Sequence, residues 1–125
     1  MPKATKAVQE AARRIVRIRD GHQCQMCGRS IVDYPSSIHH RINKGSGGSA
    51  KLERPSLLIR MCGTGTTGCH GWVTNEPRQA GIWGWLLPKN NPDIDPTQER
   101  ILTFRGWEML DDDGNRVPYL GEVPA

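Results

Sequence analysis

The sequence predicts a small α+β domain that depends on a bound metal as well as on a hydrophobic core. A chain of 125 residues is long enough for one domain and too short for two full cores, so we expect a single domain over residues 1–125. Only 36% of the residues are hydrophobic, and 14 glycines and 9 prolines interrupt the chain, which predicts a thin core. Four cysteines in two pairs offer the additional stability that such a core needs.

The first predicted element is an amphipathic helix over residues 5–19. Most arginines of this segment lie away from its apolar stripe, and Asp20-Gly21 then supplies a stop and a turn. The stripe is indicated by apolar residues at helical spacing, namely Val8, Ala11, Ala12, Ile15 and Ile18.

The cysteines form two pairs, and each pair is expected in a loop. Cys24 and Cys27 are separated by two residues and followed by a glycine, which is the form of a zinc knuckle. Cys62 and Cys69 flank the glycine- and threonine-rich segment 63–68, which is expected to form a tight loop that brings the second pair together. Four thiolates in this arrangement suit a tetrahedral structural Zn²⁺, at about 2.3 Å per bond.

Two disulfides or four free thiols are the alternatives to a metal site. The choice depends on the redox compartment, because disulfides persist only in oxidising surroundings. Residues 1–6 are polar and basic, and no segment has the length of a membrane span or the pattern of a signal peptide. We therefore expect a cytoplasmic location without a membrane partner, which favours the metal.

Two short strands and a short helix are predicted around the second cysteine pair. Segments 36–42 and 56–61 are partly β-branched, and the Gly/Ser-rich stretch 45–49 between them is expected to be a flexible loop. Cys69 is expected near the start of the short helix.

The β-rich tail, about residues 85–125, is predicted less sharply. The loop 90–96, with two prolines, is expected to separate it from the metal-rich part of the chain. In a chain with one phenylalanine, the four tryptophans are expected to form core rather than a platform for stacked bases. The expected elements are one helical turn at 77–81, short strands at 85–87 and 100–104, and a hairpin over 107–119 that turns at 112–114.

Three histidines are the candidates for chemistry. His39 and His40 are adjacent on a predicted strand, where neighbouring side chains point to opposite faces, so they are expected to have different roles. One could supply a neutral imidazole ligand and the other a general base with an ordinary pKa near 6.5. An exposed, basic strand end is the alternative for the pair. His70 directly follows Cys69, so a knuckle would fix its backbone and a helix could aim its ring toward the hairpin.

Positive charge is concentrated in the first half of the chain. Residues 1–60 hold 12 Lys/Arg and 4 Asp/Glu, whereas residues 61–125 hold 5 and 9. Such a half is expected to face a polyanion, although a solubilising surface is the alternative for each single residue. The candidates for phosphate contacts are Arg13, Arg14, Arg17, Arg41, Lys44, Lys51, Arg54 and Arg60.

The order of these motifs resembles that of HNH endonucleases, most closely the small HNH proteins of tailed phages. The shared order is Cys-x-x-Cys, His-His, an apolar strand that ends in Cys, and Cys-His-Gly-Trp-Val. The resemblance covers about residues 18–77, and the run 57–73 is its most specific part. It implies a ββα-metal, treble-clef-like fold and a metal-dependent enzyme that hydrolyses DNA phosphodiester bonds, by nicking or by double-strand cleavage.

The resemblance also implies roles for single residues. His39 and His70 would hold a catalytic divalent cation (Mg²⁺, Mn²⁺, Ni²⁺ or Zn²⁺), and His40 would be the general base. Ser56 stands where the family has an asparagine that orients the base. One hydroxyl group cannot replace both the carbonyl acceptor and the N–H donors of an amide side chain. Thr74 stands where many relatives have a further ligand, so the third ligand is left open among Thr74, Asn75, Glu76 and water.

The partner implied by the resemblance is double-stranded DNA in the cytoplasm of a bacterial host. Similar phage-encoded proteins also act with terminase and portal in DNA packaging, which would add to nuclease activity. The competing hypothesis is a non-catalytic, zinc-binding DNA or protein adaptor. It would keep the cysteines and the basic face but would have no use for His39, His40 and His70.

Overall fold

The computed structural model describes residues 5–43, 50–91 and 93–124. Among these residues, no helix has both the length and the apolar character needed to span a bilayer. The predicted loop 45–49 and Lys44 lie outside the described residues. The helices are α1 (Lys6–Asp20), α2 (Gly68–Asn75) and α3 (Pro77–Ile82), and the strands are β1 (Ser36–His40), β2 (Leu58–Cys62), β3 (Ile101–Thr103), β4 (Gly106–Leu110) and β5 (Arg116–Pro118).

The α+β class predicted from the sequence is confirmed. β1 and β2 form an antiparallel pair, and β3, β4 and β5 form a second antiparallel sheet in that order. Short 3₁₀ turns cover Ala50–Leu52, Pro55–Leu57 and Pro96–Gln98. Ser56, predicted to begin a strand, therefore lies in a turn that precedes β2.

Helix α1 forms where it was predicted, with caps at both ends. The Thr5 hydroxyl accepts a hydrogen bond from the Val8 amide at 3.2 Å. Gly21 ends the helix with a φ of 62°, a backbone conformation that a residue without Cβ adopts freely.

The buried face of α1 differs from the predicted stripe. Ala12, Val16 and Asp20, spaced by four residues, are its buried positions, whereas Ile18 is 78% exposed. Ala12 and Val16 pack against Leu58 of β2. The helix therefore docks by a narrow row that ends in a carboxylate rather than by the wider apolar stripe.

Strand β2 lies at the centre of the molecule. Leu58 packs toward α1, and Ile59 and Met61 belong to the main core with Trp85 and Leu110. Because both faces of β2 are covered, the sequence of this strand is almost continuously apolar instead of alternating between apolar and polar residues.

Segment 85–87 was predicted as a strand, and that prediction is wrong. The Trp85 carbonyl accepts a hydrogen bond from the His39 ring, and the Leu87 amide donates to the Arg41 carbonyl at 2.7 Å. These backbone groups therefore do not take part in the hydrogen-bond ladder of a β-sheet. Trp85 itself is fully buried in the core, as expected of the tryptophans.

The predicted C-terminal hairpin is confirmed. β4 pairs with β5, and the Asp111 carboxylate accepts hydrogen bonds from the Asp113 and Asn115 amides in the turn between them. The other tryptophans contribute less to the core. Trp72 and Trp83 stack with ring centres 5.2 Å apart and pack against it, and Trp107 is only half-buried.

A buried charge cluster connects this hairpin to α1. The Asp20 carboxylate accepts hydrogen bonds from Arg19 Nε at 2.7 Å, from Arg116 of β5 at 2.6 Å and from the Arg60 amide at 2.9 Å. The Asp20 side chain is inaccessible to solvent, so these contacts replace its hydration. The bond between Asp20 and Arg116 thereby connects α1 to β5.

Candidate metal centre and histidine cavity

The four cysteine sulfurs lie together, all within 4.8 Å of one another. Four sulfurs bonded tetrahedrally to one zinc ion at about 2.3 Å require separations of about 3.8 Å, so the cluster needs little adjustment. The first pair is held by a tight turn, in which the Gly28 amide donates to the Cys24 carbonyl at 2.8 Å and the Cys27 amide approaches Cys24 Sγ at 3.5 Å. This arrangement could hold a metal such as zinc.

The second cysteine pair is brought together by the loop 63–68. Gly63 has a φ of 90°, and a Cβ there would lie 1.9 Å from the Thr67 carbonyl oxygen. The amides and carbonyls of Thr64 and Thr67 bond reciprocally at 3.2 Å, which closes the loop. The Cys69 amide then points at Cys62 Sγ at 3.4 Å. Close backbone approach explains how six intervening residues still produce one pair.

The pKa values of three of the thiols are shifted by burial and by their neighbours. Burial raises the pKa of Cys69, and the charge of Cys24 raises it further. Burial also raises the pKa of Cys27. For Cys24, burial acts in the same direction, but hydrogen bonds from backbone amides outweigh it and lower the pKa. A bound dication would favour the ionised form of these thiols, which is the form that binds metals.

The three candidate histidines meet at one cavity of about 370 Å³. The rings of His39 and His70 are edge to face, with centres 5.2 Å apart. Two imidazoles that share one cation at about 2.1 Å per bond hold their ring centres about 5 Å apart. The cavity is lined by His39, His40 and His70 together with Ile38, Asn43, Val73, Thr74, Pro77 and Leu86.

The tautomer of His39 follows from its hydrogen bond. Its Nε2 lies 2.6 Å from the Trp85 carbonyl oxygen, which can only accept, so Nε2 carries the proton and Nδ1 carries the lone pair. Burial lowers the pKa of His39 to about 4, and the bond to Trp85 opposes this only in part. His39 is therefore a neutral imidazole at pH 7, the form that binds metals.

The tautomer of His70 is fixed through Ser37. The Ser37 hydroxyl donates its one proton to the Gly63 carbonyl at 3.0 Å, and His70 Nδ1 lies 2.6 Å from the same hydroxyl oxygen. Nδ1 must then be the donor, which leaves the lone pair on Nε2. Burial and the neighbouring His40 lower the pKa of His70, so this ring is also neutral at pH 7.

His40 meets a residue that the sequence did not predict for the site. Its Nε2 lies 3.1 Å from a carboxylate oxygen of Glu53, and the Glu53 side chain is 1% exposed. One signal was available, because Glu53 is the single acidic residue between positions 34 and 75. Because Glu53 is 13 residues away from His40 in the sequence, this signal did not indicate that the two side chains meet.

Ser56, expected to orient His40, faces a different part of the molecule. Ser56 is fully buried, and its hydroxyl and amide both donate to one carboxylate oxygen of Asp112, at 2.5 and 3.0 Å. The predicted role of Ser56 is corrected here: it connects the turn before β2 to the C-terminal hairpin, and Glu53 is the residue that contacts His40.

The residues after His70 supply no obvious third ligand. Thr74 lines the cavity, but its hydroxyl donates to the His70 carbonyl at 3.2 Å within α2. Asn75 and Glu76 are exposed and do not line the cavity.

The predicted phosphate contacts do not form one surface. Arg13, Arg17 and Arg60 line a second cavity, and Arg14 is exposed on α1. Arg54 is paired with Asp112 at 2.6 Å. Lys51 is exposed, on the 3₁₀ turn Ala50–Leu52, and Lys44 lies outside the described residues.

Arg41 is corrected from a phosphate contact to a structural residue. Its side chain is fully buried, which lowers its pKa. Its guanidinium donates to the backbone carbonyls of Gly84, Ser56, Glu99 and Arg100, at 2.8 to 3.3 Å. A buried cation held by four carbonyl groups is not available to a nucleic acid.

Comparison with protein-family models, with curated proteins and with solved structures gives no match for this chain.

Proposed function

We propose that this chain is a metal-dependent endonuclease of the HNH type that hydrolyses phosphodiester bonds in DNA. The observation that carries the proposal is the meeting of His39, His40 and His70 at one cavity. The hairpin β1–β2 followed by α2 supplies these rings in the order expected of a ββα-metal motif. The cysteine cluster adjoins the same elements, because Cys62 ends β2 and Cys69 lies in α2.

The donor set fits a divalent cation. His39 Nδ1 and His70 Nε2 carry lone pairs, since the other nitrogen of each ring donates to a carbonyl or a hydroxyl oxygen. Two protein ligands leave positions open for substrate and water, as catalytic metal sites require. A cation bound there would supply positive charge opposite the charge that develops on the phosphate and on the leaving oxygen.

His40 is the proposed general base. A ring whose Nε2 donates to Glu53 has its basic lone pair on Nδ1, and the carboxylate stabilises the imidazolium that forms when this atom takes a proton. The attacking water then loses one proton to His40 as its oxygen bonds to phosphorus. The bond from phosphorus to the 3′ oxygen breaks, and the leaving oxygen takes a proton from solvent water, which yields a 5′-phosphate and a 3′-hydroxyl end.

Cleavage of supercoiled plasmid tests this function. The protein is assayed with no added metal and with Mg²⁺, Mn²⁺, Ni²⁺ or Zn²⁺, beside H40A and the matched control H22A, an exposed histidine that does not line the cavity. We expect metal-dependent cutting by the wild type and by H22A, and a loss of at least about 100-fold in H40A. Zinc content and circular dichroism must show that H40A is folded. Cutting by folded H40A at the wild-type rate would overturn the proposal.

A zinc-binding DNA or protein adaptor is the second candidate. It is favoured by the contacts of Ser56 and Thr74, since neither hydroxyl points to a catalytic role. If wild type and H40A both bind zinc and DNA and neither cuts with any metal, the adaptor is the better description. A role with terminase and portal remains an expectation of the family resemblance, and a rate that changes when terminase is added would support it.

A further inference from the structure

A second cavity, of about 270 Å³, opens between α1 and the β1–β2 hairpin. Arg13, Arg17 and Arg60 are three of its lining residues, and none of the described residues that line it carries a carboxylate. The remaining lining residues are Ser36, Ser37 and Ile38. Three positive charges and two hydroxyl groups around one small space form a site for an oxyanion.

The arginines of this cavity have donors to spare. Arg13 Nε is buried, and no hydrogen-bond partner for it is found among the described residues. Among the described residues, Arg17 makes a loose, exposed ion pair with Glu10 at 3.6 Å. Arg60 uses one terminal nitrogen on the Gly21 carbonyl at 2.7 Å, and the other lies 3.4 Å from the Ser36 hydroxyl. A buried donor without a partner is costly, and an anion in the cavity would remove that cost.

The position of the cavity identifies the anion. Ile38 lines both this space and the histidine cavity, and the Ser37 hydroxyl that accepts from His70 borders the arginines. Resting on the proposed function, we infer that the arginine cavity holds one backbone phosphate of the DNA strand, next to the phosphate that is cut. It would fix the register of the strand without reading bases.

The salt dependence of DNA binding tests the inference. The logarithm of the affinity for duplex DNA falls with the logarithm of salt concentration, with a slope of about 0.9 for each phosphate that the protein neutralises. Binding is measured in the H40A background, with zinc retained and no other metal added, so that the DNA stays intact during the measurement. R13Q, R17Q and R13Q/R17Q are compared with R14Q and R13Q/R14Q, because Arg14 is exposed on the same helix and does not line the cavity.

One phosphate shared by Arg13 and Arg17 predicts non-additive effects. R13Q/R17Q should reduce the slope by about 0.9, no more than the larger single change, whereas the changes in R13Q/R14Q should add. Additive loss in R13Q/R17Q, or an unchanged slope in R13Q, would overturn the phosphate site while DNA binding itself stands. Absence of DNA binding by H40A would overturn both this inference and the proposed substrate.

A direct probe uses inorganic phosphate and a short DNA duplex in turn. The NMR signal of the Arg13 Nε–H group should shift on addition of the duplex, with a smaller shift at equal concentration of inorganic phosphate, because a strand is anchored at more than one point. A shift with inorganic phosphate and none with the duplex would mean that the site takes free phosphate, and the DNA assignment would be wrong.

Discussion

The two candidate metal sites of this molecule differ in how completely the protein surrounds them. The cysteine cluster offers four sulfurs from two tight loops, enough to fill a tetrahedral shell. The histidine cavity offers two ring nitrogens, each aimed by a hydrogen bond on the far side of its ring. Four soft ligands make a closed site, whereas two neutral imidazoles make an open one.

The difference teaches where each site obtains its rigidity. The cysteines are held by close backbone approach at Gly63 and by the turn at Gly28, features local to each loop. The histidines are held by distant groups, namely the Trp85 carbonyl and the Ser37 hydroxyl. We therefore expect removal of a metal ion from the cysteine cluster to unfold the protein, because four ligands share that ion, and removal of a cation from the histidine cavity to leave the two rings nearly in place.

The largest expected effect is at the cysteine cluster. With zinc as the ion that the cluster holds, C62S should not fold at 25 °C, because a structural zinc ion contributes about 10–16 kcal/mol, as much as the whole stability of a typical domain. The measurements are circular dichroism and zinc content, with H70Q as the control that keeps all four cysteines. A folded C62S that unfolds within about 5 °C of the wild type would show that folding depends no more on the cysteine cluster than on the histidine cavity.

The next effect is at Arg41. R41K should lose about 3 kcal/mol of unfolding free energy, because one ammonium group cannot satisfy four buried carbonyls. Zinc content should stay at the wild-type level. Urea unfolding measures the change, and R14K, at an exposed site, should alter it by less than about 0.5 kcal/mol. An equal loss in both variants would contradict the structural role of Arg41.

A pH effect separates His39 from the cysteines. The folded state has a pKa of about 4 at His39 against 6.5 for the unfolded chain, so the unfolded chain binds a proton first as the pH falls. The stability that neutral His39 contributes is complete above pH 6.5 and is lost as the pH falls toward 4. Between pH 7 and pH 5 the loss should be about 2 kcal/mol.

H39Q provides the comparison for this pH effect. Its amide nitrogen can still donate to the Trp85 carbonyl but does not titrate, so H39Q should lack the loss of about 2 kcal/mol. Protonation of the cysteines affects both proteins and cancels in the difference. Parallel stability curves for the two proteins between pH 7 and pH 5 would show that His39 is not buried as a neutral ring.

The smallest expected effect on folding is at Ser37, although metal binding should change. S37A removes the acceptor for His70 Nδ1–H, which should weaken Ni²⁺ binding at the histidine cavity by about 10- to 100-fold. Zinc content should not change. Calorimetric titration measures the affinity, and S30A, at an exposed serine, is the matched control. Equal Ni²⁺ affinity in S37A and S30A would mean that the hydroxyl does not orient His70.

Features with a local cause were predictable from the sequence. Helix α1, the knuckle at Cys24 and Cys27, and the C-terminal hairpin each follow from periodicity or turn chemistry within a few residues. The meeting of His39 and His70 was predicted because a motif order, and not a distance, pointed to it.

Features that depend on distant partners were not predictable. Arg41 looked like a phosphate contact because nothing near it in sequence reveals the carbonyls of Gly84, Glu99 and Arg100. Asp20 looked like a helix stop, whereas its carboxylate is buried against an arginine 96 residues away. In both cases tertiary hydrogen bonds override the local preference of a charged side chain for water.

The bond between Asp20 and Arg116 also constrains the order of folding. Helix α1 emerges first during synthesis, but one of the two guanidinium groups that neutralise its buried carboxylate belongs to β5, near the other end of the described chain. A contact across 96 residues requires a large loop to close, which is slow relative to helix formation. We therefore expect α1 to dock in a late, cooperative step, and a nascent chain that ends before Arg116 to keep Ala12 and Val16 accessible to chaperones.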